Sequence, residues 1–153
     1  MITEDYVSFE VAKLLKEKGF KHWCYRSYGD AVYHKGVPIS FDEECELISE
    51  GLENEIEYVE GGCLYDFGCD NRKKEAKVWA APTLWVAMKW LREAHKLYIV
   101  VRPYVTEEGF FSLFDVKSVK EKGIVVNLRT KTGFTTYEEA CEAAIRYCLQ
   151  NLI

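Results

Sequence analysis

The stretch LYIVVRPYVTEEGFFSLFDVKSVKEKGIVVNLR, residues 97–129, decides the fold of this chain. Three of its segments, 97–105, 110–117 and 123–129, are rich in the β-branched and aromatic residues that favour extended backbone. Only the sequence Thr-Glu-Glu-Gly at 106–109 separates the first two, and its glycine suits a tight turn. Connections this short join neighbouring antiparallel strands, so the stretch predicts a three-strand meander.

Amphipathic helices are predicted on both sides of the meander. Before it, Thr83 caps a helix that ends at His95 or Lys96 and carries apolar residues over a wide arc. After it, Thr136 and Glu139 have the spacing of a capping box, which starts a last helix. The order helix–strand–strand–strand–helix predicts an α+β fold, in which helices cover one face of an antiparallel sheet.

The first part of the chain predicts one more helix. It lies within residues 4–18, begins at Ser8 or at Thr3, and ends at Gly19, which can adopt a left-handed conformation. Its apolar residues fall on one side and its charged residues on the other, which indicates that it covers a core.

The sequence pattern of residues 21–78 is less regular than that of the second half of the chain. Two short strands, 23–28 and 31–34, flank a Gly-Asp pair at 29–30 and form a possible hairpin. An acidic helix or a loop follows at 41–50. Two further short strands are predicted at 56–59 and 63–67, with a break between them at a Gly-Gly pair.

Length and composition predict one globular domain, 1–153. The 153 residues include 48% apolar and 29% charged side chains, close to the average of folded soluble domains. The start of the chain is acidic, unlike the basic start of a secretory signal. We therefore expect a cytoplasmic protein whose six cysteines are reduced.

The net charge of −5 conceals two opposite blocks. Residues 42–71 carry eleven acidic side chains and no basic one, whereas residues 72–131 carry thirteen basic and six acidic ones. Such blocks either meet in the fold or are spaced out on the solvated surface, or one of them attracts a charged partner. A rarer alternative is that the acidic block imitates a polyanion.

The most useful single position is Trp85. On a helical wheel it lies beside Lys89, Arg92 and Lys96, opposite the apolar arc. Either residues 21–78 cover this tryptophan, with its ring stacked on Arg92, or it is exposed as an anchor for a partner. Trp85, Lys89 and Arg92 are therefore the candidate interface, with the acidic 42–60 stretch as a second surface.

Nucleic-acid binding is the first alternative function. Basic residues interleaved with aromatic ones on a sheet can follow phosphates and stack bases, although the overall acidity, with a pI of about 5.3, argues against it. The basic residues concerned are Arg72, Lys73, Lys74, Lys77, Arg102, Lys117, Lys120, Lys122, Arg129 and Lys131. The aromatic ones are Tyr98, Tyr104, Phe110, Phe111 and Phe114.

A metal- or thiol-dependent enzyme is the next alternative. Cys63 and Cys69 could join His22 and Cys24 in a zinc set, but their spacing is not that of a zinc knuckle. No sequence motif with a catalytic mechanism is present. We therefore predict no metal, no cofactor and no catalytic residue.

Three other chemically reactive side chains are interpreted as packing. Cys141 and Cys148 lie seven residues apart in the middle of the last helix's apolar face, where they act as small hydrophobic residues. His95 falls within the apolar arc of its helix and is predicted to be a hydrogen-bonded core residue.

Three stretches carry a resemblance to known sequences: ITEDYVSF through KGF in 2–20, APT through WLRE in 81–93, and TYEEA through YCL in 136–149. They resemble a family of small uncharacterised proteins of gut Bacteroidales and their mobile elements. The resemblance implies a small cytoplasmic protein of accessory type. The resemblance implies no activity, ligand or site residue for this chain.

The sequence thus favours a non-enzymatic small binding or accessory module, with a homo-oligomer as one form of it. A nucleic-acid-associated protein that uses the basic residues of 72–131 is the second hypothesis, and the enzyme is the third. The expected partner is another protein or a second copy of the chain, and no membrane is expected.

Overall fold

Residues 4–153, the part of the chain that a computed structural model describes, form four α-helices and two antiparallel β-sheets. This arrangement confirms the predicted α+β fold. The second half contains, in chain order, α3 (Leu84–His95), β5 (Leu97–Thr106), β6 (Gly109–Val119), β7 (Val125–Phe134) and α4 (Tyr137–Asn151). Its sheet has the order β5-β6-β7, so the predicted meander is confirmed.

The first half builds the other sheet around one long strand. Its elements are α1 (Phe9–Glu17), β1 (Ser27–His34), β2 (Val37–Pro38), α2 (Phe41–Ser49), β3 (Ile56–Tyr65) and β4 (Val78–Ala80). Strand β1 pairs with β3 along its whole length, and with β2 and β4 at its two ends. No helix within residues 4–153 has both the length and the hydropathy that a membrane crossing requires.

The helices begin where the sequence predicts, but one predicted capping box is incomplete. A side-chain hydroxyl accepts the backbone N–H three residues further on at Ser8, Thr83 and Thr136. Ser8 therefore starts α1, and Thr3 lies outside the described residues. The capping box predicted for α4 lacks its reciprocal bond, because the Glu139 carboxylate accepts from the backbone and hydroxyl of Thr135 instead of the backbone of Thr136.

The predicted hairpin at Gly29-Asp30 is wrong. Strand β1 runs through this pair, and a shift in register against β3 absorbs the irregularity between Gly29 and Ala31. The chain reverses at Lys35 and Gly36 instead, which have φ values of 50° and 77°. Two consecutive positive φ values are typical of the tight turn that joins antiparallel strands.

The segment after the turn also differs from expectation. Of the two alternatives for 41–50, the helix is correct, and Ser40 and Glu43 form a complete capping box at its start. No residue of α2 is buried. The Gly61-Gly62 pair does not break a strand, because β3 passes through it. Gly61 has a φ of +63°, and its lack of a Cβ lets the backbone approach the ring of Phe9.

One core joins the two halves of the chain. Its buried residues come from α1, α3 and α4, from the inner face of the meander and from Trp79 and Ala80 of β4. Cys141 and Cys148 are fully buried members, so their prediction as core residues is confirmed. Helices α3 and α4 pack on one side of the meander and α1 packs against α4, which leaves the other side of the meander facing outward.

That outer face carries one buried polar group, Asp115. Its carboxylate accepts from the hydroxyl of Thr130 at 2.5 Å and from Nε of Arg102 at 3.3 Å. The hydrogen bond from Thr130, supported by the guanidinium of Arg102, lowers the pKa of the Asp115 carboxyl below its ordinary value of 3.8.

This shift predicts a pH dependence of stability. A carboxyl whose pKa is lowered by folding stabilises the native state above its ordinary value and loses that contribution as the pH falls through the lowered value. We expect the free energy of unfolding of the wild type to fall more steeply below pH 3.8 than that of Asp115→Asn. Urea titrations over a pH series measure both slopes. Parallel curves for the two proteins would contradict the prediction.

Candidate interaction surface

Trp85 lies in the first turn of α3, and 62% of its surface is exposed. The interpretation that residues 21–78 cover it is therefore wrong, and the alternative of an exposed tryptophan is correct. The cation over its ring is Lys89, with Nζ at 5.4 Å from the ring centroid, rather than the predicted Arg92. Lys89 sits one turn further along α3 and also lies 3.8 Å from the carboxylate of Glu93.

Two grooves meet at the Trp85 side chain. The first groove has a volume of about 310 Å³ and is lined by Glu4, Asp5, Thr83, Leu84, Trp85, Met88, Tyr137, Glu138 and Cys141. The second groove has a volume of about 230 Å³ and is lined by His22, Trp23, Trp85, Val86, Lys89, Trp90 and Glu93. Trp85 is the residue common to both. Arg92, the third candidate residue, is half-buried and lines neither groove.

Backbone hydrogen bonds hold the wall of the first groove in place. The N–H of Leu84 donates to the carbonyl of Asp5 at 2.9 Å, and Tyr6 forms a β-bridge with Thr83. The segment that contains Asp5 is thereby fixed along the start of α3. The start of α4 supplies the remaining wall through Tyr137.

The first groove combines an apolar floor with an acidic rim. Leu84 and Cys141 are buried in the floor, and Met88 is half-buried. The charged residues among those that line the groove are all acidic, namely Glu4, Asp5 and Glu138. Within residues 4–153, none of these three carboxylates forms an ion pair.

The electrostatic balance of the first groove is negative. The N-termini of α3 and α4 both border it, and each contributes roughly half a positive charge. Three carboxylates outweigh these two partial charges. The caps Thr83 and Thr136 also satisfy part of the free N–H groups at the two helix starts, which leaves fewer donors for an anion.

The cysteine in the first groove is not poised for nucleophilic chemistry. Cys141 has no exposed surface, and burial raises the pKa of its thiol to about 11. A thiol with this pKa stays protonated at neutral pH, whereas the thiolate is the nucleophile. Burial likewise raises the pKa of the Cys148 thiol to about 12.

His95 is packed, but not as predicted. Its ring is half-buried, edge-on to Trp90 with 4.6 Å between the ring centroids. Burial lowers the pKa of its imidazole. The predicted hydrogen bond of His95 is not among those formed by the described residues.

The cysteines of the possible zinc set come together only in part. Cys24 and Cys69 pair through their backbones, with N–O distances of 2.8 and 3.0 Å. Cys63 lies on β3, opposite Gly29. Over residues 4–153, no group of three or more His, Cys, Asp or Glu side chains is arranged to hold a metal ion.

The residues proposed for nucleic-acid binding do not share one face: Arg72, Lys73, Lys74 and Lys77 lie outside the meander, and those on it separate onto its two faces. Arg102 lies on the outer face, bound to Asp115. Arg129 and Lys131 lie on the helix side, where Arg129 stacks on Tyr147 of α4. Phe114 is buried in the core. The chain therefore does not present these basic and aromatic residues as one surface.

Within residues 4–153, ion pairs hardly connect the two charge blocks. Ion pairs join the acidic residues Glu55, Glu60 and Asp66 to the segment 1–41. Among the ion pairs of the described residues, only Asp70–Arg72 links the acidic block to the basic one, and these residues are two positions apart. Most of the acidic block lies exposed, so the interpretation as a solvated surface fits better than internal pairing.

Sequence reasoning missed Trp23 and the acidic rim. Trp23 is 62% exposed, and its ring packs against Gly68, where even a Cβ would collide with it. Trp23 falls in the predicted strand 23–28, and a strand position gives no indication that the side chain is exposed. The presence of Glu138 is already explained by its position, since acidic residues are favoured in the first turn of a helix. Trp23 and Glu138 were missed for the same reason: the residues that form a groove with each of them lie far away in the sequence.

Comparison with known proteins found no family model, no curated protein and no solved structure that matches this chain.

Proposed function

We propose that this chain is a non-enzymatic binding module that holds a segment of a protein partner against the surface around Trp85. The observation that carries the proposal is the exposure of Trp85 as the wall between two grooves. Tryptophan is the residue type most enriched at the energetic centres of protein interfaces. The resemblance to small accessory proteins is compatible with this role.

A partner that covers the exposed ring of Trp85 gains a sizeable free energy of binding. A tryptophan buries roughly 150–250 Å² when fully covered, and 62% of Trp85 is exposed, so its exposed part corresponds to roughly 90–155 Å². Covering that area releases about 2–4 kcal/mol at ~25 cal/mol per Å². The buried floor of Leu84 and Cys141 gives a partner a fixed surface, and such preorganisation lowers the entropic cost of association.

The shape of the site favours an extended partner over a small metabolite. At about 310 Å³ the first groove is at the lower end of small-molecule sites, and a second groove continues beyond Trp85. A peptide segment can occupy both grooves across the shared tryptophan. The protonated thiol of Cys141 supports a binding role over a thiol-dependent reaction.

Selection from a library of random short peptides displayed on phage tests the proposal. The wild-type protein is expected to retain peptides whose synthetic forms bind Trp85→Ala at least about tenfold more weakly, because tryptophan hot spots contribute 2 kcal/mol or more. Thermal unfolding checks that the variant remains folded. Since Trp85 is exposed, its truncation should leave the core intact.

Two matched variants make the result specific. Trp23→Ala removes an equally exposed tryptophan that lines the second groove only. Phe110→Ala removes an exposed aromatic ring that lines neither groove, and should leave binding unchanged. Failure to retain any peptide, or equal binding to wild type and Trp85→Ala, contradicts the proposal.

The partner is another protein or a second copy of the chain. Light scattering over a concentration series decides between them. A mass that rises with concentration in the wild type but not in Trp85→Ala identifies a second copy. A constant mass assigns the surface to a different protein. Helix α2 and the acidic 42–60 stretch offer the second surface, since no residue of α2 is buried.

A further inference from the structure

We propose that the first groove binds an arginine side chain presented by the protein partner. This inference rests on the proposed function and names the chemistry of its recognition. Three observations lead to it: an apolar floor, an exposed aromatic wall and a rim whose charged residues are all acidic. Each observation matches one part of an arginine side chain.

The floor suits the aliphatic part of arginine. Long basic side chains lay their methylene groups along apolar surface and keep the charged end in a polar environment. Leu84 and Met88 provide such a surface at the bottom of the first groove. A short cation without a methylene chain would leave this apolar surface uncovered.

The wall suits a planar cation. A guanidinium stacks on the face of a tryptophan, and the attraction increases as the pair loses contact with water. Lys89, the chain's own cation at Trp85, lines the second groove and not the first, and Glu93 holds it there. Among residues 4–153, no basic side chain lines the first groove.

The rim suits a charged group with several donors. Glu4, Asp5 and Glu138 supply carboxylates without an ion partner among the described residues. A guanidinium can donate to more than one carboxylate at once, whereas a lysine ammonium acts as a single point charge. The same rim repels acidic and phosphorylated partners. The groove therefore favours arginine over lysine, and both over neutral side chains.

The peptides retained in the selection described above provide the probes. Those that depend on Trp85 are expected to share an arginine. In synthetic, fluorescently labelled copies, this arginine is replaced by citrulline, a neutral residue of nearly the same shape, and by lysine. We expect citrulline to weaken binding by about tenfold or more and lysine by an intermediate factor. Binding of the arginine peptide should also weaken as the salt concentration rises.

A double-mutant cycle assigns the effect to this groove. Glu138→Gln should weaken binding of the arginine peptide by roughly three- to tenfold, and should have little effect on the citrulline peptide. Asp5→Asn is a second rim variant with the same expectation. Glu121→Gln is the matched control, since Glu121 is an exposed acidic residue that lines neither groove. Thermal unfolding confirms that each variant folds.

The outcomes separate this inference from the proposed function. Trp85-dependent peptides without a shared arginine, or peptides in which citrulline binds as well as arginine, overturn the inference and leave the binding module standing. Additive effects of citrulline and Glu138→Gln overturn the placement of the arginine in the first groove. Absence of any Trp85-dependent peptide overturns both proposals.

Discussion

Replacement of Phe114 by alanine is expected to lower the free energy of unfolding by about 3–5 kcal/mol. Phe114 lies on β6, the central strand of the meander, and only 1% of its surface is exposed. Its ring is 5.6 Å from that of Phe134 and belongs to the core beneath α4. Since small domains have a total stability of about 5–15 kcal/mol, this loss is severe.

The same strand offers a matched control. Phe110 is the same residue type on β6, but 79% of its surface is exposed. Phe110→Ala should change the free energy of unfolding by no more than about 0.5 kcal/mol. Urea denaturation followed by circular dichroism measures both variants. Equal losses at the two positions would mean that the core does not extend under β6 as described.

The second large effect is expected at Asn71. Its side chain is buried and bonds to two backbone groups: Nδ2 donates to the carbonyl of Phe20 at 3.1 Å, and Oδ1 accepts the N–H of Ala80 at 2.8 Å. This one amide therefore fastens the segment that follows α1 to β4. Asn71→Ala leaves a buried carbonyl and a buried N–H without partners, which costs about 1–3 kcal/mol for each group.

The backbone at Asn71 requires a separate control. Its φ of +60° is a conformation that asparagine tolerates better than alanine does. Asn71→Gly removes the same hydrogen bonds without that strain, so we expect it to recover only about 1 kcal/mol of the loss. Full recovery in Asn71→Gly, measured by urea denaturation, would show that backbone strain and not the amide bonds accounts for the loss.

Local signals were enough to predict the second half of the chain. The caps Thr83 and Thr136 act on backbone groups three residues away, and the turn between β5 and β6 is short. Neighbouring residues determine such features, so a sequence pattern reports them directly. The burial of Cys141 followed from the same helical periodicity.

The first half could not be predicted in this way. The pairing of β1 with β3 joins residues 22 to 38 positions apart, from His34 with Ile56 to Ser27 with Tyr65. It keeps both strands continuous through glycine positions that resemble breaks. The groove at Trp85 depends on still longer distances, since Asp5 and Glu138 come from opposite ends of the chain. A helical wheel identified Trp85 but contains no information about what surrounds it.

Helix α2 contributes no buried side chain, and this has a consequence for how the chain can evolve. A segment outside the core can unfold and re-form locally while the rest of the molecule stays native. Substitutions within it therefore cost little global stability, and packing places few limits on its residues. The acidic composition of α2 is thus free to drift unless something outside the fold selects for it.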